Sequence, residues 1–127
     1  MKIEHIAVWS GNIEALKTFY TTYFGATAGK KYVNPVKNFA SYFLTFTEGC
    51  RLEVMQIPGL KENGEKAGIT GLAHFAISVG SRETVLELTG RLRKDGYPVA
   101  SEPRTTGDGY FESVVLDPDG NQVEITI

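Results

Sequence analysis

The chain repeats itself. Ile3-Glu4-His5-Ile6-Ala7-Val8 returns as Leu72-Ala73-His74-Phe75-Ala76-Ile77, with histidine third in both. A second echo closes each half: Gly49-Cys50-Arg51-Leu52-Glu53-Val54 is matched by Gly120-Asn121-Gln122-Val123-Glu124-Ile125, each reading glycine, three residues, glutamate and a β-branched residue. The histidines lie 69 positions apart and the glutamates 71. Two independent matches at nearly one spacing indicate two copies of a unit about sixty residues long. With 127 residues in all, the expectation is a single domain made of two modules, residues 1–57 and 71–127, joined by a linker over 58–70.

Each copy reads as a strand, a helix and three strands. The first helix runs over Ile13–Phe24, with Asn12 as N-cap, Gly25 as stop, and an apolar stripe of Ile13, Leu16, Tyr20, Tyr23 and Phe24. In the second copy Ser81 caps a helix whose stripe is Val85, Leu88 and Leu92. Glu83 lies in its first turn and Arg91, Arg93 and Lys94 in its last. Aromatic and β-branched runs predict strands at Phe39–Phe46, Arg51–Ile57, Phe111–Leu116 and Gln122–Ile127, with shorter ones near Ala28–Val33 and Tyr97–Ser101. Glu48-Gly49 and Asp117-Pro118-Asp119-Gly120 supply hairpin turns. Pro58–Thr70, with Gly59, Gly64, Gly68 and four charged residues, reads as a polar connector.

Alternation along strands sorts the side chains into faces. His5 shares a face with Ala7 and Trp9, against Ile6 and Val8. Glu53 goes with Arg51 and Met55, His74 with Ala76 and Ser78, and Glu124 with Gln122 and Thr126, while Val123, Ile125 and Ile127 point to the core. A lone histidine or glutamate on a strand is more often structural or solvated. Two of each at repeat-equivalent positions on the polar face form a nitrogen and oxygen donor set suited to a divalent transition metal. His5, Glu53, His74 and Glu124 are therefore the candidate metal ligands, for Zn, Ni, Co, Mn or Fe, with Zn or Ni first. Trp9, Phe43, Arg51, Met55, Ser78 and Gln122 line the expected substrate cavity.

Composition closes other routes. Thirteen Lys and Arg against fifteen Asp and Glu, without a long single-sign run, leave no footprint for nucleic acid or an anionic membrane. One cysteine, Cys50, excludes an intramolecular disulfide and a Cys-pair zinc site. No segment approaches 18 continuous apolar residues, and Glu4 and His5 interrupt any signal-peptide core, so a soluble cytoplasmic protein is expected. Asp117–Gly120 lacks EF-hand spacing and reads as a turn, Gly107-Asp108-Gly109 as a mobile loop, and Lys30, Lys31 and Arg104 as solvated charges.

The first-strand histidine, Phe19-Tyr20 with Phe24-Gly25, Gly71-Leu72-Ala73-His74, and Asp117-Pro118-Asp119-Gly120-Asn121 before Glu124 together resemble the vicinal oxygen chelate superfamily, lactoylglutathione lyase-like members above all. The resemblance covers nearly the whole chain. It implies an α+β fold of paired βαβββ modules, a cupped mixed sheet with outer helices, a homodimer, and one metal held between modules by the four side chains. Glu124, with Glu53 as its counterpart, is then the proton-transferring carboxylate. Glutathione-using members carry Arg four residues after the first His and Asn four after the first Glu. Trp9 and Ile57 stand there, which implies a more apolar or aromatic substrate than a glutathione hemithioacetal.

Two functions follow as expectations. The first is a metal-dependent lyase or isomerase of the glyoxalase type, in which the metal polarises a substrate carbonyl, stabilises an enediolate, and a glutamate moves the proton. The alternative is a non-catalytic protein of the bleomycin-resistance type that sequesters a small molecule. The fourth ligand argues against ring-cleaving dioxygenases, which use a three-ligand set. Retention of all four argues against sequestering relatives, which lack them.

Overall fold

A computed structural model describes residues 1–61 and 70–127. The connector expected over Pro58–Thr70 therefore falls largely outside the described residues. The chain divides into two compact units, Met1–Gly64 and Glu65–Ile127, each an α+β layer of one helix on one mixed sheet. Among the described residues no helix is long and apolar enough to cross a membrane.

The first unit runs β1 (His5–Trp9), α1 (Ile13–Tyr23), β2 (Thr27–Ala28), β3 (Tyr32–Asn34), β4 (Phe39–Thr45), β5 (Arg51–Gln56). Its sheet order is β1-β5-β4-β2, with β3 also paired to β4. The second unit runs β6 (Phe75–Ser78), α2 (Arg82–Lys94), β7 (Val99–Thr105), β8 (Phe111–Leu116), β9 (Gln122–Thr126), in the order β6-β9-β8-β7. The first strand of each module therefore pairs, in parallel, with the last. That pairing is in the same register twice: Ala7 stands opposite Glu53, and Ala76 opposite Glu124.

The helices start where local chemistry says they should. Asn12 Oδ1 accepts from the Ala15 N–H at 3.1 Å, and Ser81 Oγ from the Thr84 N–H at 3.1 Å, so each cap satisfies an otherwise orphan donor of the first turn. Ile13, Leu16, Phe19 and Tyr20 bury the inner side of α1, and Val85, Thr89 and Leu92 that of α2. They pack with Leu44, Leu52, Val54, Val115, Val123 and Ile125, all on the helix-side face of their strands.

Several boundaries differ from expectation. α1 ends at Tyr23, with Phe24 as C-cap and Gly25 taking the left-handed φ of +64° that glycine tolerates. The strand expected at 28–33 divides into β2 and β3 along one edge of β4, hinged at Gly29, whose N–H donates to the Phe43 carbonyl at 2.8 Å. A Cβ at Gly29 would stand 3.4 Å from that same oxygen. The strand expected at 97–101 is β7, Val99–Thr105, an edge strand with register shifts on either side of Ser101. Pro103 has no N–H to give, and an irregular edge is where that omission is tolerated. β9 stops at Thr126, so Ile127, expected in the core, is 48% exposed, while Thr126 is covered and donates to the Phe111 carbonyl at 3.4 Å.

Asp117–Gly120 is the expected hairpin turn. The Asp117 carboxylate accepts from the Asp119 and Asn121 backbone N–H groups at 3.0 and 2.8 Å and from the Asn121 side-chain amide at 2.9 Å, so its oxygens brace the turn. Gly107-Asp108-Gly109, expected as a mobile loop, is a tight turn in which the Thr106 N–H donates to the Tyr110 carbonyl at 2.8 Å.

Candidate functional site

In each module the face turned away from the helix sets a histidine beside a glutamate. His5 opens β1, and two residues along, Ala7 faces Glu53 on β5; the small alanine leaves the space above it to the two longer side chains. His5 Nε2 stands 3.9 Å from Glu53 Oε2. The second module repeats this with His74 Nε2 at 3.2 Å from Glu124 Oε2. His74, expected within a strand, sits one residue before β6 begins at Phe75, yet it keeps the same relation to its glutamate. The histidines are about two-fifths exposed and both glutamates only 16%.

These pairs suit a divalent ion. Donors about 2.1 Å from one ion stand about 3.0–3.4 Å from each other, so the His74–Glu124 pair spans an edge of a coordination shell as it stands. The His5–Glu53 pair would need to close by about half an ångström. Neutral imidazole and carboxylate are also the donor types that Zn, Ni, Co, Mn and Fe share. Among the described residues each grouping is a pair, and no three such donors gather at one point.

The surroundings of the two pairs differ. In module 1 the His5 ring meets Phe43 edge-on, with centroids 5.4 Å apart, and the Arg51 guanidinium lies 4.1 Å over the same phenyl ring. Arg51 is also paired with Glu4, whose other oxygen is 2.5 Å from His5 Nδ1. Further along the same face Trp9, 49% exposed, meets Phe39 edge-on at 6.4 Å, and Tyr32 tilts against Phe39 at 6.0 Å. Met55 lies opposite Trp9 in the strand register.

In module 2 the places of Trp9 and Phe43 hold no aromatic residue but Ser78 and Val114. Ser78 lies exposed at the end of β6, and Gln122 opens β9 half-buried. Glu124 is instead flanked by Glu112 of β8, itself only 13% exposed and 3.7 Å from the Arg104 guanidinium. Burial raises the Glu124 pKa above its ordinary value, the neighbouring Glu112 carboxylate raises it further, and the His74 ring pulls the other way. Arg104 itself is 62% exposed, as expected of a solvated charge. Glu112 and Glu4 were not among the sequence candidates. The period-two pattern of β8 puts Glu112 on the Val114 side, away from buried Phe111, Ser113 and Val115, and that alternation would have found it.

Comparison with known proteins now adds the family. The sequence profile of the Glyoxalase/Bleomycin resistance protein/Dioxygenase superfamily matches residues 2–125, and the chain belongs to that superfamily. A Bacillus subtilis (strain 168) protein named as a probable trivalent organoarsenical cleaving enzyme is 31% identical over 98% of this chain and 78% of its own length. Among solved structures, glyoxalase I from Zea mays superposes with a TM-score of 0.81 at 24% identity, covering 98% of this chain and 44% of that one. This chain thus spans less than half of the maize enzyme. A glyoxalase family protein from Enterococcus faecalis gives 0.81 at 24% identity, with 99% and 97% covered.

Proposed function

We propose that the protein is a metal-dependent lyase or isomerase of the glyoxalase type, with His5, Glu53, His74 and Glu124 as the ligands of one divalent ion. Modules 1–57 and 71–127 would each contribute one His–Glu pair, and two chains would form a homodimer. The observation that carries the reading is the duplicated His–Glu pair, set by one strand register in both modules. A bound divalent ion would supply Lewis acidity toward a substrate carbonyl.

The chain's own residues supply the rest. Glu124 is the proton-transferring group: partly buried and beside a second carboxylate, it holds a proton more readily than an ordinary glutamate. Glu53, its counterpart, is paired with His5 and has the aromatic Phe43 opposite it on β4. Trp9, Phe39 and Tyr32 offer ring faces and edges to the non-reacting part of a substrate, which favours an apolar or aromatic group there. Phe43, Arg51 and Met55 in the first module, and Ser78 and Gln122 in the second, stand on the strand faces that bear the His–Glu pairs. The Bacillus subtilis relative's name adds trivalent organoarsenicals to the compounds worth testing. Trivalent arsenic is thiophilic, however, and this chain offers one thiol, Cys50.

The test is divalent-metal analysis of the native protein and His74→Ala, after chelator stripping and add-back of a metal panel. About one metal per chain, lost in the variant, is expected. Turnover is then screened on hemithioacetals with aromatic substituents, 2-oxo acids, acyl thioesters and organoarsenicals. Loss of turnover in Glu124→Gln with metal retained is expected; full turnover there would remove Glu124 from its role. Stabilisation by aromatic ligands and by no divalent metal would make the protein a sequestering one.

A further inference from the structure

The two histidines differ in what precedes them: Glu4 before His5, Ala73 before His74. Glu4 turns back on the adjacent ring, with Oε2 2.5 Å from His5 Nδ1. Its other carboxylate oxygen accepts from the Arg51 guanidinium, and the backbone adds a second tie as the Arg51 N–H donates to the Glu4 carbonyl at 3.1 Å. Arg51 is braced in turn by the Phe43 ring beneath it, the ring that His5 meets edge-on. Glutamate, histidine, arginine and phenylalanine thus form a closed set around one imidazole. Among the described residues His74 has no carboxylate at its Nδ1.

A carboxylate only accepts hydrogen bonds, so Nδ1 of His5 must carry the hydrogen. In a neutral ring the lone pair is then on Nε2, the nitrogen that faces Glu53 at 3.9 Å. We propose that Glu4 is a positioning residue that holds His5 in the Nδ1–H form with Nε2 presented to a divalent ion, and that Arg51 holds Glu4 in place. The proposal rests on the metal-ligand reading of His5 above. Carboxylates behind ligating histidines fix ring tautomer and orientation and raise ligand basicity, and their removal typically costs 10–100-fold in metal affinity.

The experiment compares metal-stripped wild type, Glu4→Ala and Glu4→Gln by zinc titration against a chromophoric chelator, and by 15N NMR of both imidazoles in the metal-free proteins. Glu4 is exposed, so neither substitution opens the core. Glu4→Ala is expected to bind zinc about 10–100-fold more weakly. In its metal-free form His5 should shift toward a mixture of tautomers, with the His74 signals unchanged. Glu4→Gln, whose side-chain carbonyl still accepts from Nδ1, should retain the tautomer and lose less affinity. Equal zinc affinity in wild type and Glu4→Ala, with the His5 tautomer unmoved, would overturn the proposal. Wild type that takes up no zinc would end the metal reading of the whole site and the ligand role of His5 with it. A wild-type His5 carrying its hydrogen on Nε2 would remove Glu4 from its role whatever the zinc result.

Discussion

Set side by side, the two modules agree in backbone register and disagree in chemistry. Asn12 and Ser81 cap at the same step, the Ser10 and Val79 N–H groups donate to the Met55 and Thr126 carbonyls, and each glutamate faces an alanine. Yet the places of Trp9, Phe43 and Arg51 in the first copy hold Ser78, Val114 and Gln122 in the second, and the place of Ser41 holds Glu112. The cores part company too. Tyr20 and Tyr42 fill positions that the second module gives to Thr89 and Ser113, whose hydroxyls meet at 2.7 Å. The lesson is that the fold needs caps, alternation and one parallel register, while the identity of the inward side chains is open to specialisation. Module 1 has become the aromatic half and module 2 the half with paired carboxylates.

That contrast can be broken experimentally. Phe19 is fully buried while its counterpart Leu88 is only half-buried, so Phe19→Ala should cost about 3–5 kcal/mol and Leu88→Ala about 2 kcal/mol or less. Equal losses in urea unfolding would mean that the aromatic core of module 1 carries no special weight. Next in size is the hydroxyl pair. Thr89 donates to the Val85 carbonyl at 2.6 Å and is left to accept from Ser113, so Thr89→Val strands a buried hydroxyl at about 1–3 kcal/mol. Adding Ser113→Ala should recover part of the loss; a double variant less stable than the single one would contradict this account.

The smallest effect is electrostatic and confined to module 1. The Glu14 carboxylate accepts from Lys17, Lys31 and the Tyr42 hydroxyl, which lower its pKa to about 2 from the ordinary 4.5. The folded state therefore binds its proton less readily than the unfolded chain. The stability it contributes is whole above about pH 4.5 and is lost as pH falls toward about 2. Because the cluster lies at the surface, Glu14→Gln should cost no more than about 1 kcal/mol at neutral pH, and it should flatten the acid limb of a stability-versus-pH curve. An unchanged acid limb would make the cluster ornamental.

Much of this was readable from the residues because it is local. N-caps, positive-φ glycines and period-two alternation depend on a few neighbours, and they located both helices, the longer strands and the face that bears His5, Glu53 and Glu124. What escaped depends on partners distant in sequence. Phe19 was left out of the α1 stripe although it is fully buried, since aromatic residues at 19, 20, 23 and 24 offer two overlapping stripes. Thr126 is covered and Ile127 exposed because strand pairing ends one residue earlier than alternation alone implies. The role of Glu4 depends on Arg51, 47 residues on, which only the fold brings beside it.

Parallel pairing of first strand with last has a temporal side. His5 and Glu53 are 48 positions apart, His74 and Glu124 are 50, and each pair brackets nearly all of its module. Neither pair can form until the closing strand has been made and docked beside the first. Loop closure over such a span is among the costlier contacts for a chain to make early. Each His–Glu pair is thus a seal on a finished module: a chain cut short before β5 or β9 would still hold its histidine, but with nothing opposite it.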